Sequence, residues 1–83
     1  MRIYYFAWVR DHIGYSQEDI HCPETVKTIS QLAAFLSQQS AGHAKAFDDL
    51  NAVRAAINQE FVNSDKSVKD TDEIAFFPPV TGG

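Results

Sequence analysis

Hydrophobic and polar positions near the start of the chain predict two strands. The first apolar run, Ile3–Val9, is rich in aromatic and β-branched residues, as strands are. Glu18–Cys22 is a shorter second strand that we expect to run antiparallel to the first. Pro23 follows it and favours an edge position, because proline cannot donate to a sheet ladder. The polar segment 10–16 between the two strands contains Gly14 and is predicted to be a turn.

The main helix is predicted to begin at Thr28, because Thr28 and Gln31 have the spacing of a capping box. Apolar residues then recur at helical spacing and form one stripe, which is typical of an amphipathic helix packed on a core. The stripe consists of Ile29, Leu32, Ala33 and Leu36, and Phe35 widens it. We expect Ser40–Gly42 to end this helix.

A short second helix and three more strands complete the predicted pattern. The helix covers His43–Leu50, with Ala44 and Phe47 expected to point inward. The strands are Val53–Ile57, Glu60–Val62 and Glu73–Phe77. Asn58-Gln59 forms a tight turn, since asparagine tolerates positive φ. Val68 is the apolar residue of a polar segment and is expected to fill the core from a loop.

Five strands around one main helix predict an α+β fold with a single mixed sheet and the helix across one face. The first and last strands can lie side by side in the middle, which is the β-grasp (ubiquitin-like) arrangement. In the last strand Ile74 and Phe76 would face the helix, while Phe77 would face away together with Phe6 and Phe61. One helix covers one face of a sheet, so these three rings favour a surface for a partner protein over a purely local cluster.

Composition narrows the classes of partner. The 83 residues are 45% hydrophobic and carry a formal net charge of −4, so one folded domain is expected. Charged residues are scattered without a basic run, which makes nucleic acid and anionic membrane poor partners. Cys22 is the single cysteine and is interpreted as a small apolar filler. No signal peptide or transmembrane run is predicted, and we expect a cytoplasmic protein.

The side chains predict no autonomous active site. His12, His21 and His43 lack metal-ligand spacing and are interpreted as surface or structural residues, so no metal site is expected. The acidic pairs Asp48-Asp49 and Asp72-Glu73 lie in predicted loops and are interpreted as solvated. The predicted reactive group is therefore the main-chain carboxylate of Gly83, the last residue.

The segment before that carboxylate is predicted to be extended. Pro78 and Pro79 lack backbone N–H groups, so the last strand must end there. We expect residues 1–79 to form the domain and 80–83 to form a tail that reaches roughly 13 Å when stretched. Gly82 and Gly83 have no Cβ and are thin enough to thread into a narrow slot. The alternative is a frayed terminus without a function.

The C-terminal residues resemble those of the small subunits of molybdopterin synthase. That family consists of ubiquitin-like sulfur carriers of molybdenum cofactor biosynthesis. The motif that carries the resemblance is Phe76-Phe77-Pro78-Pro79-Val80-Thr81-Gly82-Gly83. The resemblance spans essentially the whole chain. Three further features match in order: Val9-Arg10 closing the first strand, Ala56-Ile57-Asn58-Gln59, and Asp72-Glu73-Ile74-Ala75.

The resemblance implies a non-catalytic sulfur-donor subunit that binds no cofactor of its own. A ubiquitin-activating-like adenylyltransferase would use ATP to adenylate the terminal glycine, and a sulfur donor protein would convert it to a thiocarboxylate. The large catalytic subunit, in a heterotetramer, would use that sulfur to build the dithiolene from cyclic pyranopterin monophosphate. Gly83 would carry the sulfur and Gly82 would form the neck. Partner-binding residues would be Phe6, Arg10, Phe61, Phe77, Pro78, Pro79, Val80 and Thr81.

Three other interpretations stay open at the level of the sequence. Another sulfur carrier of the same fold, such as that of the thiamine pathway, and a ubiquitin-like protein modifier both need a terminal Gly-Gly. The third is an acidic β-grasp domain that only binds a partner through its aromatic face.

Overall fold

The computed structural model describes residues 1–79. The strands are β1 (Arg2–Tyr5), β2 (Gln17–Asp19), β3 (Arg54–Ile57), β4 (Glu60–Val62) and β5 (Glu73–Phe77). The helices are α1 (Ala7–Ile13), α2 (Ile29–Leu36) and α3 (Ala41–Ala46), and a 3-10 turn covers Leu50–Ala52. Within this part of the chain, no helix is long and apolar enough to cross a membrane.

All five strands form one mixed sheet in the order β2-β1-β5-β3-β4. β1 runs parallel to β5, and the other neighbours are antiparallel. The α+β, β-grasp prediction is therefore confirmed: the first and last strands are adjacent, β5 is central, and β2 lies at an edge. Ile74 and Phe76 of β5 are buried under the helices, as predicted, at 0% and 1% exposure.

The prediction for the first apolar run is wrong beyond Tyr5. Phe6 is extended, Ala7 takes a left-handed φ of 52°, and α1 then occupies most of the predicted turn. The reason is packing: Val9 and Ile13 are four residues apart and both join the core on the helical side of the sheet. An aromatic run without polar alternation cannot distinguish strand from helix, and the core contacts of α1 decide between them.

The α1 helix ends at Gly14, which adopts the left-handed backbone conformation of a helix C-cap. Gly14 has φ 102° and donates its N–H to the Arg10 carbonyl at 2.8 Å, which is a left-handed C-cap. Gly14 was expected in a turn, and it does turn the chain, at the end of a helix.

The predicted boundary between the two later helices is also wrong. α2 ends at Leu36, and Ser40 begins α3 by accepting a hydrogen bond from the His43 N–H at 3.1 Å. Gly42 lies inside α3, where a Cβ would come within 2.3 Å of the His12 carbonyl oxygen of α1. The glycine therefore permits close helix packing and does not stop a helix.

The inward positions of α3 differ in part from expectation. Phe47 is buried, as predicted, but Ala44 is exposed. His43 and Ala46 take the inward positions of the helix itself, because α3 begins two residues earlier than predicted.

Other local predictions are confirmed. Thr28 caps α2 by accepting from the Gln31 N–H at 3.2 Å, while the Gln31 side chain accepts from the Lys27 N–H at 2.7 Å. The four residues of the apolar stripe of α2 are all buried. Asn58 and Gln59 have φ of 49° and 74°, which fits the predicted tight turn between antiparallel strands.

The second strand is shorter than predicted and shifted toward the N-terminus. Cys22 therefore lies in a loop rather than a strand, but it packs against the core as a small filler, as expected. Burial raises the pKa of its thiol, which makes it a poor nucleophile at neutral pH.

Candidate functional site: the outer face of the sheet

The strand register defines a face of the sheet turned away from the core, here called the outer face. Successive strand residues point to opposite sides, so the partners of Tyr4 across the sheet share its face. One row runs through Tyr4, Ala75, Ala56 and Phe61. The neighbouring row toward the end of β5 contains Phe77 and Arg54.

Aromatic rings dominate this face. Phe61 is 80% exposed, and its ring centroid lies 5.4 Å from that of Phe77. Ala56, which pairs with Phe61 in the register, is only 5% exposed. A ring as exposed as Phe61 on a small domain is unfavourable in water and is typical of a protein-binding surface.

Phe6 lies at the same end of the sheet. Its N–H donates to the Phe76 carbonyl at 3.1 Å, so it extends β1 by one residue and comes alongside Phe77. Phe6 is 48% exposed. The three rings predicted to bind a partner therefore lie on one face, with Phe61 and Phe77 in contact and Phe6 bordering a shallow depression.

This depression has a volume of about 230 Å³. It is lined by Tyr4, Phe6, Gln59, Glu73, Ile74 and Ala75. Its lining residues include two aromatics, Tyr4 and Phe6, and one acidic residue, Glu73, a composition that suits a cationic side chain. Glu73 was not among the predicted site residues, although its place two residues before Ala75 and four before Phe77 puts it on their face.

A larger groove, of about 710 Å³, lies between α2, the start of β3 and the segment 63–65 that follows β4. It holds neither histidine nor cysteine, and its charged residues are Arg54 and Asp65. Such a set offers no nucleophile and base pair for catalysis.

A buried polar network ties the sheet to α3. Glu18 accepts from the Tyr5 hydroxyl at 2.5 Å and contacts His43 Nε2 at 2.8 Å, and Ser40 Oγ lies 2.7 Å from His43 Nδ1. Burial and then the Glu18 contact raise the pKa of Tyr5. His43 is 2% exposed, so it is a structural histidine, as interpreted. Sequence reasoning missed the network because its members are up to 38 positions apart, with no local signal.

The remaining predicted site residues have mixed placements. Arg10 lies within α1 rather than at the end of a strand, is half exposed, and pairs with Asp11 at 3.7 Å. Because α1 follows directly on β1, it begins beside the end of β5. Pro78 and Pro79 follow β5 outside the strand and are partly buried. Val80, Thr81, Gly82 and Gly83 lie outside the described residues.

Comparison with known proteins gives consistent matches. The sequence model of the ThiS family matches residues 3–83. The chain is 36% identical over 83 residues to the molybdopterin synthase sulfur carrier subunit of Escherichia coli (strain K12), covering 100% of this chain and 99% of that protein.

Two solved structures support the fold. A putative molybdopterin converting factor, subunit 1, from Pyrococcus furiosus matches with TM-score 0.69 and 25% identity, covering 95% of each chain. SAMP1 from Haloferax volcanii matches with TM-score 0.72 and 21% identity, covering 100% of this chain and 98% of that one. At the latter identity the likeness concerns the fold alone.

Proposed function

The chain belongs to the ThiS family, and we propose that it is the sulfur carrier subunit of a molybdopterin synthase. The observation that carries the proposal is the extent of the match: the family model runs to Gly83, and the Escherichia coli relative is covered nearly end to end. The terminal Gly82-Gly83 therefore lies within the matched range.

The proposed chemistry takes place at the carboxylate of Gly83. A carboxylate resists nucleophiles, so an adenylyltransferase first joins it to the AMP of ATP and releases pyrophosphate. A sulfur nucleophile then attacks the acyl carbon, AMP leaves, and a thiocarboxylate results. Its sulfur is polarizable and largely ionised at neutral pH, as a cysteine thiolate is when activated. No side chain of the carrier needs to act as acid or base.

The receiving partner is proposed to be the large catalytic subunit of the synthase. Its pocket would take residues 80–83. The thiocarboxylate sulfur would attack an oxygen-bearing side-chain carbon of cyclic pyranopterin monophosphate, so that a C–S bond forms as the C–O bond breaks and the oxygen leaves. Water would then hydrolyse the resulting thioester and restore the carboxylate. A dithiolene contains two sulfurs, so two loaded carriers act in turn and each must leave its partner after transfer.

The division of the chain follows from that cycle. Residues 1–79 dock through the rings of Phe6, Phe61 and Phe77, and Pro78 and Pro79 stiffen the exit of the tail, which lowers the entropy cost of insertion. Thr81 and Val80 fix the register of the inserted tail. Because the partners use ATP and a pterin precursor, we place the protein in the cytoplasm, in a heterotetramer with the large subunit.

Coexpression with a cognate adenylyltransferase and sulfur donor tests this proposal. Intact mass spectrometry should show an oxygen-to-sulfur shift at the C-terminus. The shift should disappear on deletion of Gly83 or addition of one alanine after it, and it should persist in Lys45→Ala, an exposed residue of α3. In reconstitution with the large subunit, Gly82→Ala should slow conversion of the precursor.

Two outcomes would contradict the proposal. No mass shift under any condition would favour a β-grasp module that only binds. Lysine-linked conjugates in cell extracts, without sulfur transfer, would favour a protein modifier.

A further inference from the structure

Two charged side chains of the outer face lack an ion-pair partner within residues 1–79. Glu73 lies at one end of β5, and Arg54 pairs with Phe77 at the other end. Arg2 is the register partner of Glu73, but its guanidinium is held by Asp19, with contacts of 2.9 and 3.4 Å. Arg2, the cation nearest to Glu73 in the register, thus pairs with Asp19, and the charge of Glu73 has no ion-pair partner within residues 1–79.

The backbone of Glu73 is held on both sides. Its N–H donates to Asn58 Oδ1 at 3.0 Å, and its carbonyl accepts from the Asn58 N–H at 2.8 Å. Glu73 is one of the residues that line the 230 Å³ depression, together with Tyr4 and Phe6. A carboxylate next to two aromatic rings attracts a lysine or arginine side chain by ion pairing and by cation–π contact.

The opposite end of the face carries a positive charge, that of Arg54, which is the register partner of Phe77 and also borders the groove beside α2. One guanidinium nitrogen of Arg54 donates to the Asn51 carbonyl at 2.8 Å, which orients the side chain and uses one of its five donors. No carboxylate within residues 1–79 lies at ion-pair distance from it. The remaining donors suit a carboxylate of a partner.

The two charges are far enough apart to act separately. Glu73 and Phe77 are four positions apart along β5. That is about 13 Å of strand and exceeds the Debye length of about 8 Å at physiological ionic strength. The aromatic rings between them contribute binding energy, but they do not favour one orientation of the partner over another. Opposite charges at the two ends make one orientation favourable, because a half-turn of the partner would bring like charges together.

We propose that Glu73 and Arg54 set the orientation in which the large subunit docks on the outer face. That subunit would place a basic side chain in the depression beside Glu73 and an acidic side chain against Arg54, near the point where the tail leaves β5. The two charges thereby orient the tail toward its pocket during the encounter, before docking buries the aromatic rings. This inference rests on the proposed function.

A charge exchange tests the proposal without changing net charge. The variant combines Arg54→Glu with Glu73→Arg, and the control combines Lys45→Glu with Asp48→Lys, two exposed positions outside the outer face. Association with the purified large subunit of the same organism is followed by stopped-flow fluorescence at low and high salt. We expect the exchange to slow association at least about tenfold at low salt, with a smaller difference at high salt, and the control to match the wild type.

Single changes separate the two ends. Glu73→Gln and Arg54→Gln should each slow association by less than the exchange does, with unchanged unfolding midpoints because both side chains are exposed. Association of the exchange variant at the wild-type rate would overturn the orienting role, while the thiocarboxylation result and the wild-type complex would still support the sulfur carrier. Failure of the wild type to bind the large subunit would overturn both.

Discussion

Replacing Gly42 by alanine distinguishes helix propensity from helix packing. The residue lies inside α3, where alanine is favoured over glycine by about 1 kcal/mol on propensity alone. In the folded protein, however, the new Cβ would lie 2.3 Å from the His12 carbonyl oxygen and 3.2 Å from Ile13 Cα. Both are backbone atoms of α1, so no side-chain rotation can relieve the contact.

The packing term outweighs the propensity term. Restoring an ordinary contact of at least 3.4 Å requires α1 and α3 to separate by about 1 Å. Added methyl groups in packed sites cost about 1–3 kcal/mol, and a backbone contact this short belongs at the upper end of that range. After subtracting the gain in propensity, Gly42→Ala should destabilise the fold by about 2 kcal/mol. For a domain of this size that lowers the melting temperature by about 10 °C.

The assay is urea unfolding followed by circular dichroism, with Ala44→Gly as the matched control. Ala44 is exposed in the same helix, so this change should cost about 1 kcal/mol from propensity alone. If Gly42→Ala proved as stable as the wild type or more so, the close approach of α1 and α3 would be refuted. The m-value should stay constant in both variants.

Three further changes test other parts of the structure. The Cys22 N–H lies 2.7 Å from the Asp70 carboxylate and lowers its pKa below the usual 3.8, so this stabilisation is present above pH 4 and lost at lower pH. Asp70→Asn keeps the acceptor oxygen but does not titrate, and its urea midpoint should therefore fall less between pH 5 and pH 2 than that of the wild type. Phe77→Ala should weaken binding of the large subunit by about 2 kcal/mol in calorimetry, and Leu50→Ala, exposed outside the outer face, should not; equal dissociation constants would remove Phe77 as an anchor. Glu18→Ala should cost about 3 kcal/mol in urea unfolding, because the buried Nε2 of His43 and the buried Tyr5 hydroxyl both lose their partner; a cost under 1 kcal/mol would show that the network is dispensable.

Local chemistry made several parts of the fold predictable. Thr28 with Gln31 specified the start of α2, and the stripe that follows specified its buried face, because capping and amphipathicity act over a few neighbouring residues. Asn58-Gln59 specified a turn and Phe77-Pro78 the end of the last strand for the same reason. Alternation along β5 placed Phe77 on the outer face, and the same alternation would have placed Glu73 there.

Long-range packing decided what local pattern could not. The run from Phe6 to Val9 has the composition of a strand, yet it enters α1 because Val9 and Ile13 are buried in the core beside α3. Gly42 looks like a helix stop in the sequence and is a contact point between two helices in the structure. In both cases the deciding contact is between α1 and α3, whose nearest residues in sequence, Ile13 and Ala41, are 28 positions apart, and periodicity carries no information over that separation.

The sequence by itself determined the class of fold and the placing of Phe77 on the outer face, since each follows from spacing and side-chain type within short segments. Only the tertiary structure decided which charges of the outer face have no ion-pair partner within residues 1–79. Arg2 could have neutralised Glu73, and it is the antiparallel pairing of β1 with β2 that brings Asp19 to Arg2 instead. A charged side chain attracts a partner protein strongly only when no opposite charge lies next to it, and the fold decides which side chains lie next to each other.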